Sequence, residues 1–536
     1  MNSHQRFKQA LDKFSARLPP YKMRLPFLLL VLVLVLDILN HGRFSDNVWV
    51  RNFPPWVTAA LLRTVRDITF SIGLATVVGL AALFAFPALQ KPHRAFLLCA
   101  CLLGPIYAFL ITPFSPPDEN RHYQPVLACA ASFLGMDSLD RSYLMETIPE
   151  HRNSTTGYVL ERRIFKRDAP MGRTFRISDL PKRNNVFEHL PPILGNVIGL
   201  KLGLAPMANF YLGRFFALVF YILLVTLAIR LSPVLKECIA VVALCPMSLQ
   251  QACSYSYDSE TFVCSFLCLA LILKFALEGQ KPPSKILFGV LCATLVLGMA
   301  IKCSVIAFIP LLFAIPESRF ATGKRGKVLF RAITCTLAAC AAASSIFTIS
   351  PGTMEGGSAA WSLMFLAKHP MRLAHILLNT FDHDWLEIPF CSLGWFLSGR
   401  SLRLPALYIM VLQVLFVLAI RRERQALPRP LRMAAAIGVF LQTAYVMVPM
   451  LTTYTPFGRI AIKGIQGRYW TAVLPLLACM ALIPSQSKCR LADEAESPAD
   501  KSAGTRDWGG TMIFASLLVL QLATVIVVAK YTISYY

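Results

Sequence analysis

Ala95-Phe-Leu-Leu-Cys-Ala-Cys-Leu-Leu-Gly-Pro-Ile-Tyr-Ala-Phe-Leu-Ile-Thr-Pro113 is an apolar stretch, and Ser115-Pro116-Pro117-Asp118-Glu119-Asn120-Arg121-His122-Tyr123 follows it at once. The first part is long enough to cross a bilayer, which takes about 20 apolar residues. The prolines stop that helix and extend the chain before the acids. Two adjacent carboxylates, a guanidinium, an imidazole and a phenol therefore stand at the mouth of a membrane helix. Ionisable groups are costly to keep there, so the run is read as a candidate functional site. The blander reading is a solvated loop cap, and the rest of the chain has to decide between them.

The apolar signal recurs along the chain. Of 536 residues only 15% are charged, against roughly 25% in soluble domains, and the mean hydropathy is +0.56. The fold class expected is an all-α polytopic membrane protein. Spans are expected near 25–40, 68–88, 95–113, 208–229, 238–253, 259–277, 286–301, 303–316, 328–350, 404–420, 431–451, 469–484 and 511–530, about thirteen in all. The pair 286–301 and 303–316 reads either as two spans or as one broken unit around Lys302. The run Leu25 to Leu39 has no small-residue cleavage site and is expected to be a retained anchor. Most of the 15 cysteines lie in apolar segments without metal-binding spacing, as buried small hydrophobes do.

The net charge of +24 does not point to nucleic acid in this setting, because basic residues collect in cytoplasmic loops. Placing the basic segment 1–24 in the cytoplasm makes the charge pattern coherent, with Lys and Arg concentrated in the short inward loops. Two long loops, 114–207 and 351–403, then face the extracytoplasmic side. The apolar, proline-interrupted run from Leu190 in the first of them suits an interfacial or re-entrant helix. A transmembrane domain over 25–484 is followed by a solvated cytoplasmic linker, 485–510, and a C-terminal transmembrane helix within 511–536. No Walker loop or G-x-G-x-x-G turn is present, so nothing argues for nucleotide hydrolysis.

With that topology the polar residues fall on one face of the membrane. Asp118 to Tyr123 follow the third span, and Arg214 lies in the outer turns of the fourth. Tyr255, Tyr257, Asp258 and Glu260 form the junction of the fifth and sixth, and Lys302 marks the break after the seventh. Asp382, His383, Asp384 and Glu387 lie in the second long loop; Arg459, Lys463, Arg468 and Tyr469 precede the twelfth span. Carboxylates among cations at an outer leaflet suit chemistry on a phosphate-bearing lipid. The cations hold phosphate and a carboxylate deprotonates an attacking hydroxyl. Blander roles stay open for three of these groups. Arg214 could snorkel to the interface, Asp258 and Glu260 could cap a helix, and 382–387 could be a solvated turn.

Pro116-Pro117-Asp118-Glu119-Asn120-Arg121-His122-Tyr123 resembles the Pro-Asp-Glu-x-x-His-Phe/Tyr signature of a large bacterial family of multi-pass membrane proteins of unknown function. That family is grouped by similarity with GT-C-type glycosyltransferases. Three further segments fit the resemblance: Ser256-Tyr257-Asp258-Ser259-Glu260-Thr261, Leu393-Gly394-Trp395-Phe396, and Gly464-Ile465-Gln466-Gly467-Arg468-Tyr469-Trp470 with Leu474-Pro475. Together they cover about 95–484. The sequence is also similar in flavour to lipid A aminoarabinose transferases and protein O-mannosyltransferases. It departs from the family in having two extra helices before the acidic signature. It also lacks an acidic residue after Gly394-Trp395.

The resemblance implies a GT-C-like domain in the bacterial inner membrane. It would transfer a sugar from a polyprenyl-phosphate carrier to an extracytoplasmic glycan, lipid or cell-envelope acceptor. Residue by residue, it places the general base on Asp118, with Glu119 second. Arg121, His122, Lys302, Arg468, Arg459 and Arg214 are the candidates for the donor and its phosphate, with Asp258, Glu260 and Tyr469 as secondary candidates. Whether a divalent metal takes part is left open by the resemblance. A ligase or polymerase of lipid-linked glycans would need the same base and cations. A transporter or flippase of a lipid-linked saccharide is the alternative outside catalysis.

Overall fold

The computed structural model describes residues 31, 88–145, 173–181, 186–278, 284–320, 322–348, 363–384, 387–397, 402–483 and 508–533. All but one residue of each expected span 25–40 and 68–88, the basic segment 1–24 and most of the 485–510 linker lie outside the described residues. The rest is predominantly helical, with two short antiparallel strand pairs.

The first helix, α1 (Pro92–Leu110), begins on a proline, whose fixed φ and missing N–H suit a helix start. It ends at Ile111 in extended geometry, ahead of Pro113. α2 (Glu119–Phe133) follows after two residues with left-handed backbone, Phe114 and Asp118 (φ 63° and 62°). The hairpin β1 (Ser138–Asp140) and β2 (Thr174–Arg176) pairs Leu139 with Phe175. The proline-interrupted run is a helix, α3 (Leu190–Lys201), with Pro191 and Pro192 in its first turn, and it packs on α4 (Pro206–Leu231). Asn196 ties this pair to the following loop, donating to Pro192 O and to the Tyr255 hydroxyl, each at 2.9 Å.

The segment expected to span at 238–253 is instead two short buried helices, α5 (Lys236–Ala243) and α6 (Pro246–Ala252). Pro246 cannot supply the N–H that a continuous helix needs, and Cys245 before it is extended. α7 (Asp258–Leu277) is the central helix, with 89% of its apolar window buried. The chain breaks at Lys302, in extended geometry, between α8 (Lys285–Ile301) and a 3-10 turn leading to α9 (Ile309–Phe313).

The second half contains α10 (Gly323–Thr348), α11 (Leu363–Lys368), α12 (Pro370–Asp384) and α13 (Glu387–Leu393). The hairpin β3 (Phe396–Leu397) and β4 (Leu402–Arg403) comes next. α14 (Ala406–Arg422) and α15 (Arg429–Pro449) then lead to a second broken segment, α16 (Arg468–Thr471) and α17 (Leu474–Ala481), where a straight span was expected at 469–484. Pro475 in the first turn of α17 accounts for that break. The last helix, α18 (Trp508–Ile533), packs beside α1 and α14. Its Gln521 accepts from Tyr107 (2.9 Å) and donates to Leu244 O (2.6 Å), a polar tie between apolar helices.

Among the described residues five helices are long and apolar enough to cross a membrane: Pro92–Leu110, Pro206–Leu231, Asp258–Leu277, Arg429–Thr452 and Gly509–Ala529. Large apolar side chains such as Leu102, Phe109, Leu223, Val414 and Phe440 point outward from this bundle. A soluble protein rarely presents so much apolar surface, whereas lipid covers it at no cost. Segments outside the long helices are structured too, with α2 packed on α3 and α11 on α12.

Candidate functional site

Asp118 and Glu119 are neighbours in sequence, yet the left-handed backbone at Asp118 sends their side chains to different places. Glu119, the first residue of α2, turns inward to Arg214 of α4, and both side chains are fully buried. Arg214 Nε donates to Glu119 Oε1 at 2.9 Å and its Nη2 to Oε2 at 2.6 Å. Its remaining donors reach the carbonyls of Ala108 (3.0 Å), Ile111 (2.5 Å) and Thr112 (3.1 Å) at the end of α1. The guanidinium's five N–H donors are thus all used. Glu119 also accepts from the backbone N–H of Phe114 (2.8 Å) and of Tyr255 (3.2 Å), which fills its four acceptor sites. With these partners Glu119 and Arg214, expected as second base and as phosphate ligand, clamp the α1–α2 turn to α4.

Asp118 faces the other way, its side chain about half exposed (47%). Arg468, the first residue of α16, brings Nη2 to 3.2 Å from Asp118 Oδ2. Arg468 Nε also lies 3.4 Å from Asp258 Oδ2, and Lys302 Nζ lies 2.6 Å from Asp258 Oδ1. Four charges from four chain segments therefore form one series: Asp118, Arg468, Asp258, Lys302. Asp258 opens α7, where the helix dipole favours a carboxylate, but it bridges two cations instead of capping the helix. The Lys302 ammonium also sits 4.8 Å from the Tyr469 ring and 5.1 Å from that of Tyr257. Burial works against its charge, but the Asp258 carboxylate, helped by Tyr257 and Tyr469, lifts its pKa above the ordinary lysine value.

Arg468 is the converse of Arg214. It is 5% exposed, yet its Nη1 makes no hydrogen bond among the described residues, and its Nε has only the 3.4 Å ion-pair contact with Asp258. A buried donor left open is costly, about 1–3 kcal/mol, and calls for an explanation. The explanation lies beside it. A cavity of about 220 Å³ is lined by Pro117, Asp118, Gln250, Glu387, Gln466 and Arg468 among others. Gly467 lets this wall close, since a Cβ there would stand 2.5 Å from Cys391 Cβ and 2.6 Å from the Ile388 carbonyl oxygen. Gly394, with φ +114°, turns the chain against the backbone of Met247 on α6. Thr471 donates to Ser392 O at 2.6 Å, which fastens α16 to α13.

The other sequence candidates divide. His122 is buried between the His189 ring (5.0 Å) and the Tyr257 ring (4.8 Å), linking α2 to the back of the charge series. Tyr469 packs its ring on Lys302 and Arg468. Arg121 is exposed. Glu260 is buried, with Oε2 making no hydrogen bond among the described residues, and does not line this cavity. Arg459 lines a different cavity. Gln250 and Gln466 were not singled out by the sequence. Gln250-Gln251, two amides inside an otherwise apolar segment, were the signal that could have found the first. Among the described residues no group of three or more His, Cys, Asp or Glu could hold a metal ion.

The family described as "Predicted membrane protein (DUF2142)" matches residues 101–477, from within α1 to within α17. The chain belongs to this family. No curated protein and no solved structure matches the chain. The DUF2142 region takes in Asp118, Asp258, Lys302 and Arg468, and so the whole charge series and its cavity. Helix α18 lies outside it.

Proposed function

We propose that this DUF2142 protein is an integral-membrane glycosyltransferase of GT-C type. It moves a sugar from a polyprenyl-phosphate carrier to an extracytoplasmic glycan, lipid or cell-envelope acceptor. In this reading it sits in a bacterial inner membrane with its N-terminus in the cytoplasm. In the same reading the chain has about thirteen membrane segments, with the 114–207 and 351–403 loops on the outer face. The observation that carries the reading is the pairing, in one cavity, of a half-exposed carboxylate with a buried arginine whose Nη1 makes no hydrogen bond among the described residues.

The chemistry follows from the charge series. The carrier phosphate takes the Nη1 donor of Arg468, while Nε stays against Asp258. An acceptor hydroxyl placed against Asp118 gives up its proton to that carboxylate as its oxygen bonds to the sugar's anomeric carbon. The bond from that carbon to the phosphate oxygen breaks, and the electron pair leaves with the phosphate. Asp118 loses its negative charge at the same moment. Arg468, until then shared with Asp118, becomes a less balanced cation just as charge grows on the leaving group. Lys302 neutralises Asp258, so Asp258 holds Arg468 in place without cancelling it.

The test is Asp118→Asn in the full-length chain, in membranes that contain donor and acceptor. Transfer is expected to fall at least 100-fold, in the range general-base removal usually costs, with membrane insertion unchanged. Normal transfer by the variant removes the base assignment. The breaks at Lys302 and before Pro246 are also features that transporters use. Build-up of lipid-linked sugar on the inner leaflet in Asp118→Asn would make the flippase reading the better one.

A further inference from the structure

A second cavity, of about 310 Å³, is lined by His383, Asp384, Glu387, Arg459 and Lys463 together with the apolar Ile460 to Ile465 stretch. Glu387 lines this cavity and the first one alike. The sequence reading grouped Arg459 with Arg468 as candidates for the donor and its phosphate, whereas they line different cavities.

The loop that carries them is fastened to α12 and to itself. Ile462 N–H donates to Thr380 Oγ1 at 2.9 Å, Lys463 N–H to Thr455 Oγ1 at 3.0 Å, and Asn379 Nδ2 to Ile460 O at 3.3 Å. Arg459 and Lys463 form no ion pair among the described residues, and both are exposed. Opposite them stands Asp384, its Oδ1 2.9 Å from His383 Nδ1, and Glu387 on the shared wall. Such a lining has cations for one oxyanion and carboxylates for several hydroxyl donors. A dianionic phosphate would meet repulsion from the two acids. A sugar with a single carboxylate meets about half of it and offers the acids many hydroxyls to accept from.

We infer that the second cavity binds an acidic saccharide and that this saccharide is the acceptor. The inference rests on the transferase reading and names its acceptor class. Arg459 and Lys463 hold the sugar carboxylate. Asp384 and Glu387 accept from its hydroxyls, and the reacting hydroxyl passes over the Glu387 wall to Asp118.

The experiment uses the full-length chain in nanodiscs, titrated with galacturonate, with neutral galactose and with inorganic phosphate. Galacturonate is expected to bind at least 10-fold more tightly than galactose. Arg459→Gln combined with Lys463→Gln should weaken it at least 10-fold at unchanged melting temperature. Equal binding of the neutral sugar overturns the inference, as does an unaffected double variant. Displacement of galacturonate by an equal concentration of inorganic phosphate also overturns it, assigning the cavity to a phosphate group. In a transfer assay the double variant should raise KM for the acceptor, whereas Asp118→Asn lowers kcat. Full transfer by Asp118→Asn would therefore sink the transferase reading and leave the binding result standing by itself.

Discussion

Glu119 and Arg214, 95 residues apart, meet through two parallel hydrogen bonds of 2.9 and 2.6 Å, and neither keeps a donor or acceptor to spare. Glu119→Gln should leave the guanidinium buried without its counter-charge, a loss of about 3–5 kcal/mol. The folded yield in detergent and the melting temperature should both drop sharply. Glu119→Leu combined with Arg214→Met should recover part of the loss, because no charge is then left buried. A Glu119→Gln protein that melts like the native chain would show that the pair does not hold the α1–α2 turn.

Asp258 serves two cations and Lys302 serves one carboxylate, which sets an order of stability. Asp258→Asn strands Lys302 and removes one of the two carboxylates beside Arg468, whereas Lys302→Met leaves the Asp258–Arg468 contact of 3.4 Å in place. Melting temperatures should therefore fall in the order native, Lys302→Met, Asp258→Asn. The reverse order would mean that Lys302, not Asp258, organises the series.

Gly467 precedes Arg468 where α16 meets α13. In Gly467→Ala the added Cβ collides with Cys391 and with the Ile388 carbonyl, so the backbone has to move. An overpacking cost of about 1–3 kcal/mol is expected, together with weaker phosphate binding as Arg468 shifts. Unchanged melting and binding would show that the wall yields without moving the arginine.

Much of the helical pattern was legible in the sequence. Runs of apolar residues located α1, α4, α7 and α18 to within a few residues, because lipid demands that length and composition. Straight spans at 238–253 and 469–484 were not what folds. Apolar length alone ignores Pro246 and Pro475, which end one helix and start the next. The set of charges on one face, read from topology, contains Asp118, Asp258, Lys302 and Arg468 but does not separate them from Glu119, Arg214 and Arg459. That separation depends on backbone geometry at one residue, the left-handed Asp118, and on which arginine donors find partners. Residue type carries neither. Gln250 and Gln466 escaped notice because single amides are weak signals until a fold places them in a cavity wall.

The Nη1 donor of Arg468 is the centre of the account, and binding of a polyprenyl phosphate tests it most directly. The measurement compares the native chain, Asp118→Asn and Arg468→Gln by native mass spectrometry in nanodiscs. Asp118→Asn should bind at least as tightly as the native chain, since a competing carboxylate is gone, while Arg468→Gln should bind at least 10-fold more weakly. Equal binding by Arg468→Gln and the native chain would contradict the claim that this arginine receives the phosphate.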